Sequence, residues 1–303
     1  MRAMILAAGL GTRLRPLTLE IPKPAVPVLG RPLCGYPMEF LRDHGVEAFL
    51  LNLHHQPETV RKRVDAWAAG RFPVEFAVEK EILGTGGGIA NAEAFLRGGT
   101  FVTANSDAIA RFPLGEAVGR HRKSGALATL VLFPDPAGRY TPVRVRDDGR
   151  ISGFGKGAPS GVFEGFYTGY QIAEPELLGH IPGGRPSCIV RDTFEPLIAR
   201  GAPICAFRSE GPFLEFGTPP DYFRGTLALL AERGTGAPPR TYVSDGAVVG
   251  AGAIVGPDAA VEEGATVGEG ATVRRAIVWP GARVAPGALV EGGILTPRRF
   301  VPA

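Results

Sequence analysis

Arg2-Ala3-Met4-Ile5-Leu6-Ala7-Ala8-Gly9-Leu10-Gly11-Thr12-Arg13-Leu14-Arg15-Pro16-Leu17-Thr18 begins the chain after its first methionine. Arg2–Ala7 is a short apolar run that ends in glycines, the pattern of a buried first strand feeding a tight loop. Glycines let a backbone approach phosphate oxygens, and loop N–H groups at a helix start suit anions. The pair Gly9 and Gly11 lacks the third glycine of a dinucleotide fingerprint, because Leu14 stands there, and no stretch has Walker A spacing. Two glycines alone also describe an ordinary strand-to-helix turn. The apolar run Ala3–Leu10 leads directly into Gly11-Thr12-Arg13 with no small-residue cleavage site, so it reads as a strand and not as the core of a signal peptide.

Beyond the loop, strand-like and helix-like stretches alternate. Leu33–His44 has apolar residues at helical spacing and stops at Gly45, a suitable C-terminal cap. Buried-strand patterns follow at Ala48–Leu53, Val74–Val78, Thr100–Ala104 and Ala128–Phe133, with helix patterns at Pro57–Ala69, Gly87–Leu96 and Pro113–Ser124. This order predicts an α/β domain around a Rossmann-like, mainly parallel sheet, whose ligands bind beyond the carboxyl ends of the strands. Val143–Ile151 and Phe163–Ile172 are richer in β pattern, Arg191–Arg200 and Pro219–Arg233 read as helices, and residues 234–239 read as a linker. The predicted division is a catalytic domain over 1–235 and a second domain over 236–303.

The last part differs in kind. Valines stand at 243, 249, 255, 261, 267 and 273, then at 278, 284 and 290, a six-residue interval with one five-residue step. A hexapeptide period marks a β-helix in which each repeat forms one side of a coil, and a short left-handed β-helix is expected. Each inward valine contributes about 1.5–3 kcal/mol of burial, but only where neighbouring coils stack on it. The tail is expected to be architectural, and a homo-oligomer is expected to form.

Composition sets outer limits. A chain of 303 residues suggests two domains, and 45% hydrophobic with 21% charged residues describes an ordinary globular protein. A formal charge of +3 is too small to argue for a nucleic-acid partner. Cys34, Cys188 and Cys205 form neither an even disulfide framework nor a metal-ligand cluster, and read as reduced thiols of a cytoplasmic protein. No stretch approaches the ~18 apolar residues of a membrane span.

Gly9-x-Gly11-Thr12-Arg13-Leu14-x-Pro16-Leu17-Thr18 followed by Pro22-Lys23-Pro24 closely resembles the signature of sugar-1-phosphate nucleotidyltransferases. Further matches run in the family's order: Leu83-Gly84-Thr85-Gly86-Gly87 is similar to its base-binding loop, Asn105-Ser106-Asp107 to its metal-binding turn, and Phe213-Leu214-Glu215-Phe216-Gly217-Thr218-Pro219 to its second metal segment. The resemblance spans residues 1–225 and implies attack by a sugar-phosphate oxygen on the α-phosphorus of a nucleoside triphosphate, expelling pyrophosphate. No protein nucleophile is required, and catalysis is positioning plus charge stabilisation.

By resemblance, Arg13 meets the triphosphate, Gly11 and Thr12 give close backbone and hydroxyl contacts, and Lys23 stands near the α-phosphate. A guanidinium grips two phosphate oxygens at once, whereas an ammonium acts as a point charge. Asp107 and Glu215 are implied to hold Mg²⁺, which takes one or two carboxylates plus phosphates and water. Leu6, Ala7 and Gly9 are implied to present backbone groups to the base, with Glu79 and Gly84 opposite. A carboxylate at Glu79 suits the adjacent N–H groups of guanine and tolerates uracil or thymine, so guanine is slightly favoured. Asn105, Lys156 and Thr168 are the implied sugar-phosphate contacts.

The chain departs from the family at three places. Glu215 stands where aspartate is usual, and the extra methylene calls for a bridging water or a shifted backbone. Phe213 replaces a common tryptophan. Gly155 replaces a glutamate that relatives place on sugar hydroxyls, while Lys156 keeps the cation.

Other features carry less. His54-His55 on a strand end point to opposite faces and do not form a metal pair. Asp147-Asp148-Gly149 reads as a hairpin turn, and Arg298-Arg299 as a solvated end. A β-helix acyltransferase is one alternative, but the five histidines at 44, 54, 55, 121 and 180 leave none on the repeat to act as base. A non-catalytic nucleotide or nucleotide-sugar sensor that oligomerises through the tail is another, distinguished by the absence of pyrophosphate release.

Overall fold

The computed structural model describes residues 1–155, 163–233 and 240–303. The chain forms two compact units: Met1–Leu10 with Cys34–Phe213, and Gly11–Leu33 with Leu214–Ala303.

In the first unit, β1 (Arg2–Leu6) is followed by α1 (Gly35–Asp43), β2 (Ala48–Leu53), α2 (Pro57–Ala68), β3 (Val74–Val78), α3 (Gly84–Asn91), α4 (Glu93–Leu96) and β4 (Phe101–Asn105). Then come α5 (Leu114–Ser124), β5 (Ala128–Phe133), β6 (Pro142–Val145), β7 (Ile151–Phe154), β8 (Phe163–Ala173), α6 (Glu195–Ala199) and β9 (Ile204–Arg208). The sheet runs β7-β6-β8-β4-β1-β2-β3, with β5 between β8 and β9. Its body is parallel: Met4 of β1 lies beside Leu50 of β2 and Thr103 of β4. The predicted α/β class and mainly parallel sheet are met there; β8 then runs antiparallel to β4, β5 and β6. Ala3, Met4 and Ile5 are all fully buried, which explains why β1 reads as a continuous apolar run instead of alternating. Met4, Phe101, Leu130, Phe194 and Ile204 belong to one core cluster.

Three predicted elements are redrawn. The helix expected over Gly87–Leu96 starts at Gly84 and breaks at Ala92. Its glycines are poor helix formers, yet they lie where the 185–189 backbone approaches: a Cβ at Gly84 would stand 2.6 Å from the Ser187 carbonyl oxygen. The stretch Val143–Ile151 is two antiparallel strands joined by the expected Asp147-Asp148-Gly149 turn, with the Gly149 N–H donating to Arg146 O at 3.0 Å. The helix expected over Arg191–Arg200 opens as a π turn at Val190–Phe194 before α6, where Pro196 lacks the N–H that an α ladder needs.

In the second unit, Gly11–Leu33 forms three 3₁₀ turns (Thr12–Leu14, Leu17–Leu19, Lys23–Ala25) and a small hairpin pairing Pro27 with Pro32. Helix α7 covers Pro219–Arg233, as its pattern predicts. Its start is a reciprocal cap: Thr218 N–H donates to Asp221 Oδ2 at 3.0 Å, and Asp221 N–H donates to Thr218 Oγ1 at 3.3 Å. The predicted linker at 234–239 lies outside the described residues.

From Thr241 to Leu295 short strands stack in parallel, and Phe300–Pro302 closes the tail antiparallel to the last of them. Thr241 pairs with Ala259, a step of 18 residues, and Ala259 pairs with Ala276, a step of 17. Three six-residue repeats therefore make one circuit, and the five-residue step from Val273 to Val278 accounts for the shorter one. Val261, Val267, Val273, Val278 and Val284 are buried together with Ala259, Ala265 and Ala271. Val243 and Val249 do not follow: they are 41% and 42% exposed, because they belong to the first circuit, on which no earlier described circuit stacks. No helix among the described residues is long and apolar enough to cross a membrane.

Candidate nucleotide site

Within the first unit, β1 ends at Leu6 between β2 and β4, so the backbone of Leu6 and Ala7 is placed by both neighbours. Ser106 N–H donates to Leu6 O at 3.1 Å, which ties the Asn105-Ser106-Asp107 turn to the end of β1. Ala7 N–H donates to Asn52 Oδ1 at 2.8 Å. The Asn52 amide then donates through Nδ2 to Glu79 Oε1 at 2.7 Å, and Leu83 N–H donates to Glu79 Oε2 at 3.0 Å. Glu79 is 4% exposed and Asn52 is 2% exposed. A buried carboxylate demands such donors, and each here comes from a different element. Both Glu79 oxygens thus accept from the protein, and the network locks the end of β1 against the glycine-rich start of α3. Gly88 lies on it so closely that a Cβ would stand 2.7 Å from Asn52 Nδ2.

Asn52 joins this network, and the motif reading did not single it out. Its signal is present in the sequence: one amide in the otherwise apolar Ala48–Leu53 strand must find partners once buried. Gly84 and Gly86 face Ser187, with Gly86 N–H donating to Ser187 O at 2.9 Å, so part of the glycine requirement here is close packing.

The sugar-side residues also fall in the first unit. Gly169 has φ +85°, and a Cβ there would collide with the Asn105 amide, so Asn105 and the Tyr167-Thr168-Gly169 segment are brought together. Thr168 is 2% exposed, and its hydroxyl donates to Val131 O at 2.9 Å. That hydroxyl is committed to the sheet, so Thr168 can offer a ligand its backbone and not its side chain. Asp107 follows β4 as expected. Its charge adds to the effect of burial in pushing the Tyr170 phenol upward, and that phenol donates to Ala108 O at 2.9 Å. Phe213 stands edge-on to Phe166, with ring centres 4.8 Å apart, and to Tyr140 at 5.9 Å. Lys156 lies outside the described residues.

The second unit carries the phosphate-loop candidates. Gly11 has φ +62°, and a Cβ there would be 2.8 Å from Lys23 Cβ, so the Lys23 stem lies against the glycine. Gly11 O accepts from Leu14 N at 3.0 Å and from Thr18 Oγ1 at 3.0 Å. Thr12 and Arg13 are exposed at the loop tip. Arg13 Nη2 lies 3.2 Å from Glu215 Oε1. An exposed pair of this kind is worth about 0–1 kcal/mol, so the guanidinium can exchange its partner for a phosphate at little cost.

Among the described residues no three His, Cys, Asp or Glu side chains form a metal-holding group. Asp107 and Glu215 nevertheless supply the donor type that Mg²⁺ takes from protein when phosphates and water complete its shell, so the donor chemistry fits that ion. His54 Nδ1 meets Glu79 O at 2.9 Å while His55 meets Gln56, in keeping with their separate faces.

A family model described as nucleotidyl transferase matches residues 2–231. The chain is 32% identical over 249 residues to a UTP–glucose-1-phosphate uridylyltransferase of Synechocystis sp., covering 76% of this chain and 64% of that protein. It is 30% identical over 231 residues to a mannose-1-phosphate guanylyltransferase of Mycobacterium tuberculosis, covering 75% of this chain and 64% of the relative. The chain thus spans 64% of the length of each. Among solved structures, HddC from Yersinia pseudotuberculosis, alone and complexed with GMP-PN, is similar at a TM-score of 0.64 and 25% identity, covering 75% of this chain and 99% of that one.

Proposed function

The chain belongs to the nucleotidyl transferase family, and we propose that it transfers a nucleotidyl group from a nucleoside triphosphate to a sugar 1-phosphate, releasing pyrophosphate. The observation that carries this reading is the phosphate loop: Gly11 backed by the Lys23 stem, with the Arg13 guanidinium exposed beside it. A sugar-phosphate oxygen attacks the α-phosphorus and the bond to pyrophosphate breaks. Arg13 spreads the charge of the departing pyrophosphate, while Lys23 neutralises charge where the two anions meet. Asp107 and Glu215 would hold Mg²⁺, which when bound supplies positive charge that offsets the repulsion between the two substrates.

The base is read by backbone groups of Leu6, Ala7 and Gly9 on one side and by Glu79 and Gly84 on the other. Each carboxylate oxygen has a second lone pair, so Glu79 can still accept from a base while held by Asn52 and Leu83. This supports guanine slightly over uracil or thymine. Asn105, Lys156 and the Thr168 backbone receive the sugar phosphate.

The catalytic residues all fall within 1–235, although Gly11–Leu33 and Leu214 onward cluster with the tail; the tail from Thr241 forms a left-handed β-helix, its 17- and 18-residue circuits supporting the coil. Exposed Val248, Ile254, Leu289 and Phe300 on the tail support a homo-oligomer. Three unpaired cysteines support a cytoplasmic location.

The test is pyrophosphate release over a panel of GTP, UTP, dTTP, ATP and CTP against glucose 1-phosphate and mannose 1-phosphate, with Mg²⁺. Release above background with at least one pair is expected. Tight nucleotide binding without release for any pair would leave the sensor reading in its place.

A further inference from the structure

The segment that carries Gly11, Thr12, Arg13 and Lys23 is fastened to the repeat tail at three points. Glu262, 1% exposed, accepts through Oε2 from Gly30 N–H at 2.9 Å. Thr296, 2% exposed, donates its hydroxyl to Glu20 Oε1 at 2.7 Å, and Arg299 Nε lies 3.8 Å from the same oxygen. Arg298 and Arg299 are exposed, as their sequence suggests, and Arg299 reaches Glu20 from that exposed position. Trp279, fully buried, donates Nε1–H to the Tyr222 hydroxyl at 2.8 Å, and that hydroxyl donates to Pro27 O. Gly30 completes the seat: its φ is +79°, and a Cβ would collide with the Tyr242 hydroxyl.

These anchors bracket the cation. Glu20 precedes Lys23, and Pro27 and Gly30 follow it. Lys23 in turn backs Gly11, whose carbonyl Thr18 holds. The segment's own regular structure is three single 3₁₀ turns and a two-residue hairpin, too little to keep its shape unaided. Two of the three anchors involve a carboxylate, the stronger kind of hydrogen bond, and all three are shielded from water by buried tail residues.

We infer that Glu262, Thr296 and Trp279 are positioning residues for the transfer step: through Gly30, Glu20 and the Tyr222–Pro27 link, the tail holds Lys23 and the Gly11 loop where they meet phosphate. Assembly is not the tail's only contribution. The inference rests on the reading of this loop as the phosphate site. A displacement of about 1 Å at a reacting group can lower rate by about 10²-fold, so loosening one of three anchors is expected to lower kcat by about tenfold.

The experiment uses the full chain with Thr296→Val, Glu262→Leu and Glu262→Gln, the last of which keeps an acceptor for Gly30 N–H. Hydrogen exchange over residues 11–33 is followed by mass spectrometry, beside kcat and KM for the best pair from the panel, referred to the folded fraction. Thr296→Val and Glu262→Leu are expected to speed exchange in 11–33 about tenfold, to leave exchange over 265–284 unchanged, and to lower kcat more than they raise KM. Glu262→Gln is expected to restore most of both. Unchanged exchange in 11–33 would overturn the anchoring, and faster exchange with wild-type kcat would overturn the positioning role. Should the wild type release no pyrophosphate with any pair, the functional reading falls, while the exchange measurement still decides whether the tail holds the segment.

Discussion

Arg13 Nη2 and Glu215 Oε1 stand 3.2 Å apart, a contact between the glycine-rich loop and the strand that ends at Glu215. On the proposed function Arg13 exchanges Glu215 for triphosphate, and Glu215 exchanges Arg13 for a metal ion. If Arg13 acts on charge that develops as pyrophosphate departs, Arg13→Ala should lower kcat by about 10²–10³. A change confined to KM would assign it to ground-state binding instead. For Glu215 the length of the side chain matters, because Mg²⁺ tolerates little distortion at its ~2.1 Å ligand distances. Asp107→Asn is expected to nearly abolish turnover. Glu215→Asp should be mildly impaired or improved, and Glu215→Gln clearly worse, with kcat measured against Mg²⁺ concentration for all three. Wild-type behaviour of Glu215→Gln at every Mg²⁺ concentration would mean that Glu215 serves Arg13 alone. At this scale the motifs singled out Arg13, Lys23 and Asp107 as candidates directly, because their spacing along one loop or strand end is local. Asn52 was legible only as a polar residue in an apolar strand, since its two partners, Ala7 and Glu79, come from distant parts of the chain.

Helix α5 shows how a buried polar group ties an element to the sheet. His121 on α5 is 1% exposed, with Nδ1 at 2.8 Å from Thr129 Oγ1 of β5 and Nε2 at 3.0 Å from Glu174 Oε1. Burial pushes its pKa below the ordinary 6.5, with the Glu174 hydrogen bond working in the opposite direction. The unfolded chain therefore binds this proton more readily than the folded one. Its contribution is fully present above pH 6.5 and is lost as pH falls below it, by at most about 1.4 kcal/mol per pH unit for one proton. Thermal unfolding between pH 7.5 and 5.5 should show the wild type losing stability toward acid more steeply than His121→Gln; parallel profiles would exclude His121 as the source. Helix α7 offers a second test at this scale. Thr218→Ala removes the reciprocal cap with Asp221 and should cost about 1 kcal/mol in denaturant unfolding. The limits of α7 were readable in advance because Pro219 and the cap are local signals. The start of α3 at Gly84 was not, since only the approach of the 185–189 backbone makes a helix of glycines pay there.

Considered as a whole molecule, the repeat invites the expectation that the tail builds shape and contacts between copies while leaving the chemistry alone. The anchors at Glu20, Pro27 and Gly30 motivate the opposite proposal. Deleting residues 240–303 removes Glu262, Trp279 and Thr296 together, so turnover should fall even in a truncation that stays soluble and monodisperse. Light scattering beside single-turnover measurements separates the two effects. Full single-turnover activity in a monodisperse truncation would return the tail to a purely architectural role.

The amino-acid sequence by itself determined the order of strands and helices, the glycine loop after β1 and the period of the tail. Each of these rests on interactions between residues near one another in the chain: apolar periodicity, turn glycines, caps and a six-residue repeat. Even the single shortened circuit was written in the five-residue step before Val278. Tertiary structure alone decided that Gly11–Leu33 groups with Leu214–Ala303, that the Thr168 hydroxyl is committed to Val131, and that Asn52 joins Ala7 to Glu79. The physical reason is common to all three. A buried donor or acceptor must find a partner, but nothing in its local sequence says which one, and the choice falls to whichever group the packed chain brings within hydrogen-bonding distance.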